Sequence, residues 1–190
     1  MNTAGAASAT HPIRIARAGD AAAMQAIYAQ FVRDTAVSLE TEVPSVAEMQ
    51  DRISSTLATL PWLVALDDAG HVGGYVYASR FAERPGYRWT VTVSAYLRAD
   101  QRGRGLGRRL YDDLLARLAA LGYAQACAII TLPNTASVAL HETMGFTPVG
   151  VFRNAGHKQG GWHDVGWWQR ALQPTPLPAQ APEPKPFNGG

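Results

Sequence analysis

A single cysteine, Cys127, among 190 residues excludes an intramolecular disulfide. It lies in an apolar run, QACAIIT, and reads as a small core residue. No uninterrupted apolar stretch approaches the ~18 residues of a membrane span. The opening residues, MNTAGAASATHP, have neither the basic start nor the apolar centre of a secretory leader. Charge is scarce too. Only 17% of residues are charged and the net charge is +2, too balanced to call for a nucleic-acid partner. No group of His, Cys, Asp and Glu has metal-ligand spacing. These absences set the expectation of a cytoplasmic, reduced protein without metal, membrane or nucleic-acid partner.

What is present is a globular body. Hydrophobic residues make up 47% of the chain, enough for one domain with a proper core. Residues 1–12 read as a flexible tail. Residues 173–190, QPTPLPAQAPEPKPFNGG, are proline-rich with few core formers and read as a disordered, mobile tail. Between them, residues 13–172 alternate strands with helices. A short strand IRIAR precedes a helix capped by Asp20, with Met24, Ile27, Tyr28 and Phe31 on one face. Ser45 and Glu48 form a capping box that opens a second helix. Two strands of a hairpin follow, turning at DDAG, then a β-rich run from Tyr87 to Leu97. Leu106, Leu110, Leu114, Leu118 and Leu121 mark a strong helix that Gly122 stops. A buried strand, a short helix from Asn134 to Met144, and two strands flanking a loop NAGHKQGG complete the chain. The order β-α-α-β-β-β-α-β-α-β-β predicts a single α/β (α+β) domain, a mixed sheet with helices on both faces.

The most informative segment is Arg102-Gly103-Arg104-Gly105-Leu106-Gly107, between a strand and an amphipathic helix. The first N–H groups of a helix have no internal partner and sit at its positive end. Glycines let a diphosphate approach the backbone. Arg98, Arg102, Arg104, Arg108 and Arg109 crowd into the same stretch and add charge. No G-K-[ST] follows, so this is not a Walker P-loop, and G-x-G-x-x-G is missing, which argues against a dinucleotide site.

RGRGLG is similar to the R-x-x-G-x-G motif by which GNAT acetyltransferases hold the pyrophosphate of coenzyme A. Together with PWLVAL, YRWTV, QRGRGLGRRLYDDLL, LPNTASVALHETMGF and GHKQGGWHDVGWWQR, it resembles the phosphinothricin N-acetyltransferase branch from Ile13 to about Leu172. The resemblance implies a GNAT fold, with a mixed, mostly antiparallel central sheet. It implies acetyl-CoA as co-substrate and the amine of a small molecule (phosphinothricin, methionine sulfoximine or a related amino-acid analogue) as acceptor, an activity tied to herbicide resistance. A homodimer is the expected assembly.

Acetyl transfer needs a held thioester, a neutral amine and a donor for the carbonyl oxygen. For the cofactor the resemblance implies Arg102, Gly103, Arg104, Gly105, Leu106, Gly107 and Arg108, with Leu97 offering backbone and Asn134 and Ser137 assisting from the other side. His141, in an LHE-x-x-GF context, is implied as proton acceptor, relay or substrate contact. The family's usual glutamate in W-T-V-E is Thr92 here, and a threonine takes no proton at neutral pH. The proton then leaves through water and His141, or a carboxylate such as Glu40 or Glu42 serves, or the chain has changed substrate or lost activity. Arg84 and Tyr87 match the substrate loop, with Arg84 for a carboxylate. A second basic position there is Ala82, for which Arg80 or Arg88 could compensate. Rival expectations are a GNAT acting on an antibiotic, a polyamine or a protein N-terminus, and a non-catalytic acyl-CoA sensor.

Overall fold

The computed structural model describes residues 12–188, so the expected N-terminal tail falls almost wholly outside the described residues. The elements run β1 (Ile13–Ile15), α1 (Ala21–Asp34), α2 (Val46–Leu57), β2 (Trp62–Leu66), β3 (Val72–Arg80), β4 (Thr90–Leu97), α3 (Leu106–Ala120), β5 (Gln125–Leu132), α4 (Thr135–Thr143), β6 (Thr147–Lys158) and β7 (Gly161–Ala171). This is the predicted alternation. The strands form one sheet in the order β1-β2-β3-β4-β5-β7-β6. Every neighbouring pair is antiparallel except β4 with β5, which is parallel.

Strand alternation sends side chains to two cores. Leu63, Ala65, Val76, Ala78, Val91 and Val93 meet the leucine face of α3. Trp62, Val64 and Tyr75 meet Met24, Ile27 and Tyr28 of α1 and Met49 and Ile53 of α2. With both faces covered, β2 reads WLVAL, apolar at every position.

The capping box of α2 forms as its sequence predicts. Ser45 Oγ accepts the Glu48 N–H at 3.2 Å, and the Glu48 carboxylate accepts the Ser45 N–H at 2.7 Å. Asp20 corrects the other expected cap. It sits at the N-cap position of α1 but makes no side-chain cap there. Its carboxylate is taken by the Arg14 guanidinium, at 2.7 and 2.8 Å, and by the Arg17 N–H at 2.8 Å.

The expected loop NAGHKQGG is also corrected. Most of it is strand, because β6 runs on to Lys158. Asn154, at φ 51°, makes a bulge where the register shifts between Phe152 and Gly156. Asp164 of β7 accepts its N–H at 2.9 Å. The turn proper is Gln159 and Gly160, both at positive φ, which is the pattern of a two-residue type I′ hairpin.

Residues 173–188 contain no helix or strand, as proline dictates. They do not hang free as expected of a mobile tail. Gln173 Nε2 donates to the carbonyls of Ala119 and Tyr123 at 2.8 and 3.1 Å, and the Lys185 N–H donates to Leu121 O at 2.7 Å.

Candidate active site

β4 and β5 are registered through three pairs only, Thr90 with Gln125, Val91 with Ala126 and Thr92 with Cys127. Beyond Thr92 the two strands part, while β4 stays paired with β3 up to Leu97 and β5 with β7 up to Leu132. The inward edges of residues 93–97 and 128–132 therefore have no strand partner across the gap. A wedge-shaped opening lined by backbone donors and acceptors lies in the middle of the sheet, and an extended, amide-bearing ligand can pair with it.

The glycine loop closes the wide end. Arg102 leaves β4 with its Nε 3.4 Å from Leu97 O and its guanidinium 4.9 Å from the Phe31 ring. Gly103 and Gly105 stand at φ 71° and 76°, a region in which a Cβ is strained. Gly105 is the N-cap of α3 and makes no side-chain cap. The first intrahelical bond runs from the Arg109 N–H to Gly105 O, so the N–H groups of Leu106, Gly107 and Arg108 lead the helix without a partner inside it. With the exposed Arg104 and Arg108 beside them, these groups form a donor cradle that fits a diphosphate. Arg98 is not part of the cradle. Its guanidinium is spent on Asp67 and Asp100, and its hydrogen bonds to Asp100 hold that carboxyl down at about 2. Across the wedge, Asn134 caps α4 by accepting the Ser137 N–H at 3.1 Å.

Thr92 stands where the wedge narrows. Val91 and Val93 face α3, so Thr92 and Ser94 point to the side covered by α1 and α2. Thr92 Oγ1 lies 2.6 Å from Ser79 Oγ, its cross-strand neighbour on β3. Ser79 escaped the sequence reading. The hairpin pattern carried the signal, but the nine residues between β3 and β4 left the register open.

His141 lies on α4. It is buried, and its Nδ1 lies 2.8 Å from Ser137 O. A carbonyl only accepts, so Nδ1 carries the proton. Nε2 then accepts from the Tyr111 hydroxyl at 2.9 Å. Burial lowers the His141 pKa, against the opposing pull of the Ser137 carbonyl, and burial raises that of Tyr111. Both ring nitrogens are thus committed inside the protein, among Tyr111 and Phe146 on the α3 side of the sheet.

Three further segments carry the remaining candidate residues. The β3–β4 connection carries Arg84 and Tyr87, both exposed, with Tyr87 packed 5.5 Å from Phe81. Arg84 precedes a 3-10 turn, Pro85–Tyr87, and accepts the Tyr87 N–H at 3.0 Å. Arg88, a possible substitute cation, is engaged by Glu183 instead. The α1–α2 connection carries Glu42, exposed, and Glu40, whose carboxylate is held by both Nη atoms of Arg52 at 2.7 and 3.1 Å. The third segment is β6, drawn against the α1–α2 connection at Gly156, where a Cβ would stand 2.5 Å from Leu39 Cδ1. Lys158 locks the contact. It is buried, its pKa lowered by desolvation, and its Nζ donates to Ser38 O at 2.6 Å. Neither Gly156 nor Lys158 stood out in the sequence.

Cys127 is buried, which raises its thiol pKa and makes it a poor nucleophile. Among the described residues no three His, Cys, Asp or Glu side chains could hold a metal ion, and no helix is long and apolar enough to cross a membrane.

The acetyltransferase (GNAT) domain family matches residues 13–167. A phosphinothricin N-acetyltransferase of Streptomyces viridochromogenes is 40% identical over 172 residues, 90% of this chain and 93% of that protein. An L-methionine sulfoximine/L-methionine sulfone acetyltransferase of Pseudomonas aeruginosa is 37% identical over 86% of this chain and 95% of its own. The crystal structure of a GNAT superfamily phosphinothricin acetyltransferase from Sinorhizobium meliloti, in complex with AcCoA, superposes with a TM-score of 0.83 at 39% identity, covering 86% of this chain and 89% of that one. A sheet parted after Thr92, a glycine cradle at its mouth and these likenesses across most of the chain agree: the protein belongs to the GNAT acetyltransferase family.

Proposed function

We propose that this chain transfers the acetyl group of acetyl-CoA directly to the amine of a small amino-acid-like acceptor. The observation that carries this is the parting of β4 from β5 just beyond Thr92, with the donor cradle of residues 102–108 at its mouth. The cradle's free N–H groups, with Arg102, Arg104 and Arg108, hold the diphosphate. The backbone of β4 up to Leu97 pairs with the pantetheine arm, and Asn134 and Ser137 flank it from the α4 side. Acetyl-CoA supplies an activated thioester, and the protein supplies proximity and orientation. Residues 13–172 make one catalytic domain.

The amino-acid-like acceptor draws support from the substrates named for the Streptomyces and Pseudomonas relatives. Arg84 meets the acceptor carboxylate, Tyr87 packs beside it, and Glu42 borders the pocket from the α1–α2 connection. Thr92 and Ser79 hold a water through which the amine proton leaves. His141 acts from behind, tying α4 to α3 through Tyr111. An acceptor screen that follows free thiol, with phosphinothricin, methionine sulfoximine and methionine sulfone, tests this. Turnover of at least one is expected.

Thr92, where a carboxylate would serve as base, favours a second reading, a non-catalytic acyl-CoA sensor. Tight acetyl-CoA binding with no turnover of any amine would select it.

The assembly we infer is a cytoplasmic homodimer. Ile129 of β5 and Phe152 of β6, which flank Trp167 on one face of the sheet, are 49% and 61% exposed, apolar surface that a second copy would cover. Sedimentation equilibrium should give twice the monomer mass, and Phe152→Glu should lower it.

A further inference from the structure

The proline-rich segment after β7 reaches the base of the loop that carries Arg84 and Tyr87. The Trp89 indole N–H donates to Pro182 O at 2.7 Å. The Glu183 carboxylate receives Arg88 Nε and Nη2, each at 2.6 Å. Arg88 also lies over the Trp89 ring, 4.2 Å from its centroid, and donates Nη1 to Pro85 O at 2.9 Å. Lys185 N–H bonds Leu121 O, Pro184 lies against Gly122, and Phe187 is 9% exposed. One end of the segment is thus fastened to the α3–β5 turn and its flank to the acceptor loop. Between strap and loop lies a cleft of about 450 Å³, lined by Arg80, Arg84, Tyr87 and Tyr123 on one side and Glu183 and Pro186 on the other.

The β3–β4 connection needs such a support. Its only regular piece is the 3-10 turn Pro85–Tyr87, and its tip is exposed. An exposed ion pair alone contributes little. Here it is joined by an indole hydrogen bond, a backbone hydrogen bond and a buried ring. Six prolines between residues 174 and 186 pre-set an extended chain, so little freedom is lost when the strap docks.

We propose that residues 182–187 are a positioning strap, with Glu183 and Phe187 as positioning residues that fix the 81–89 loop in its acceptor-binding geometry. The proposal rests on the reading of Arg84 as the acceptor's carboxylate partner.

The test uses the full chain. Glu183→Arg and Arg88→Glu each set two like charges at contact distance and should lift the strap. Each should raise the acceptor KM about fivefold or more, with kcat and the calorimetric Kd for acetyl-CoA within about twofold of the parent. The charge-swapped pair, Arg88→Glu with Glu183→Arg, should bring KM back to within about twofold. Phe187→Ser, which leaves every charge in place, should raise KM in the same way. Hydrogen exchange across residues 81–89 should quicken in the single variants and recover in the swap. Unchanged KM in both Glu183→Arg and Phe187→Ser would overturn the proposal, as would quickened exchange with no change in KM. Arg84→Ala separates the two claims. If it leaves KM unchanged, the carboxylate assignment falls and the positioning claim falls with it. If it raises KM and the strap variants do not, only the strap is wrong.

Discussion

Thr92 Oγ1 and Ser79 Oγ face each other 2.6 Å apart across β3 and β4, at the last residue where β4 still pairs with β5. In the proposed function these two hydroxyls stand where the acceptor amine sheds its proton. Neither is a base near neutral pH. Thr92→Glu places a carboxylate there, half-buried and beside a donor hydroxyl. Positioned general bases contribute typically 10²–10⁴-fold. Turnover of methionine sulfoximine at pH 8 should rise by about tenfold or more, read as free thiol released under saturating acetyl-CoA.

Gly105→Asp should weaken acetyl-CoA binding by about a hundredfold. The left-handed backbone at φ 76° penalises any Cβ by roughly 1–2 kcal/mol, about tenfold, and the carboxylate adds repulsion to a diphosphate. Gly105→Ala isolates the first effect. Calorimetry of both variants should rank them in that order, and equal affinities for the parent and Gly105→Asp would remove the diphosphate from this loop.

Arg84→Ala should raise KM for amino-acid acceptors by roughly tenfold or more, the loss expected for a charge-assisted hydrogen bond. Acetyl-CoA affinity should stay as it was. The same variant should lose its defect against an acceptor without a carboxylate.

Stability should fall with acidification through the histidine range, and His141 should be responsible. Its folded pKa is depressed by burial, so the unfolded chain binds the proton more readily. The stabilisation is fully present above the unfolded value of about 6.5 and is lost as the pH falls through the folded one. The depressed carboxyls of Asp20, Asp67 and Asp100 act in the same direction but lower, below about pH 4. Melting temperature should therefore drop between about pH 7 and pH 5, and His141→Gln should flatten that slope. Tyr111→Phe strands the buried Nε2 and should lower unfolding free energy by about 1–3 kcal/mol in urea at pH 7.5.

The order of elements was legible because apolar periodicity and turn residues are local signals. Ser45 with Glu48, and the leucines of α3, needed nothing beyond their own segment. What failed depended on partners far along the chain. Asp20 looked like a cap until Arg14 was brought beside it. NAGHKQGG looked like a loop because it is rich in glycine and polar residues, while its strand character comes from pairing with β7. The cradle of residues 102–108 was readable since glycine and arginine spacing states its geometry directly. The surroundings of His141 were not, because its spacing from Ser137 and Asn134 is equally compatible with a free imidazole and with one tied to Tyr111, thirty residues away. The proline-rich end misled for a physical reason: composition reports an inability to form hydrogen-bonded secondary structure, and a stiff chain docked along a surface shares that composition with a disordered one.

The parted strands carry a consequence for the protein when no ligand is bound. Beyond Thr92 and Cys127 the sheet has two raw edges in its interior, unsheltered by the bulges, prolines or lysines that usually blunt an exposed strand. An extended amide chain seated between them acts as a surrogate strand and completes the sheet from within. Occupancy then governs colloidal behaviour as well as chemistry. Ligand-depleted protein should precipitate sooner on storage, and saturating acetyl-CoA or plain CoA should serve as a folding ligand that raises the melting temperature in proportion to the logarithm of its concentration.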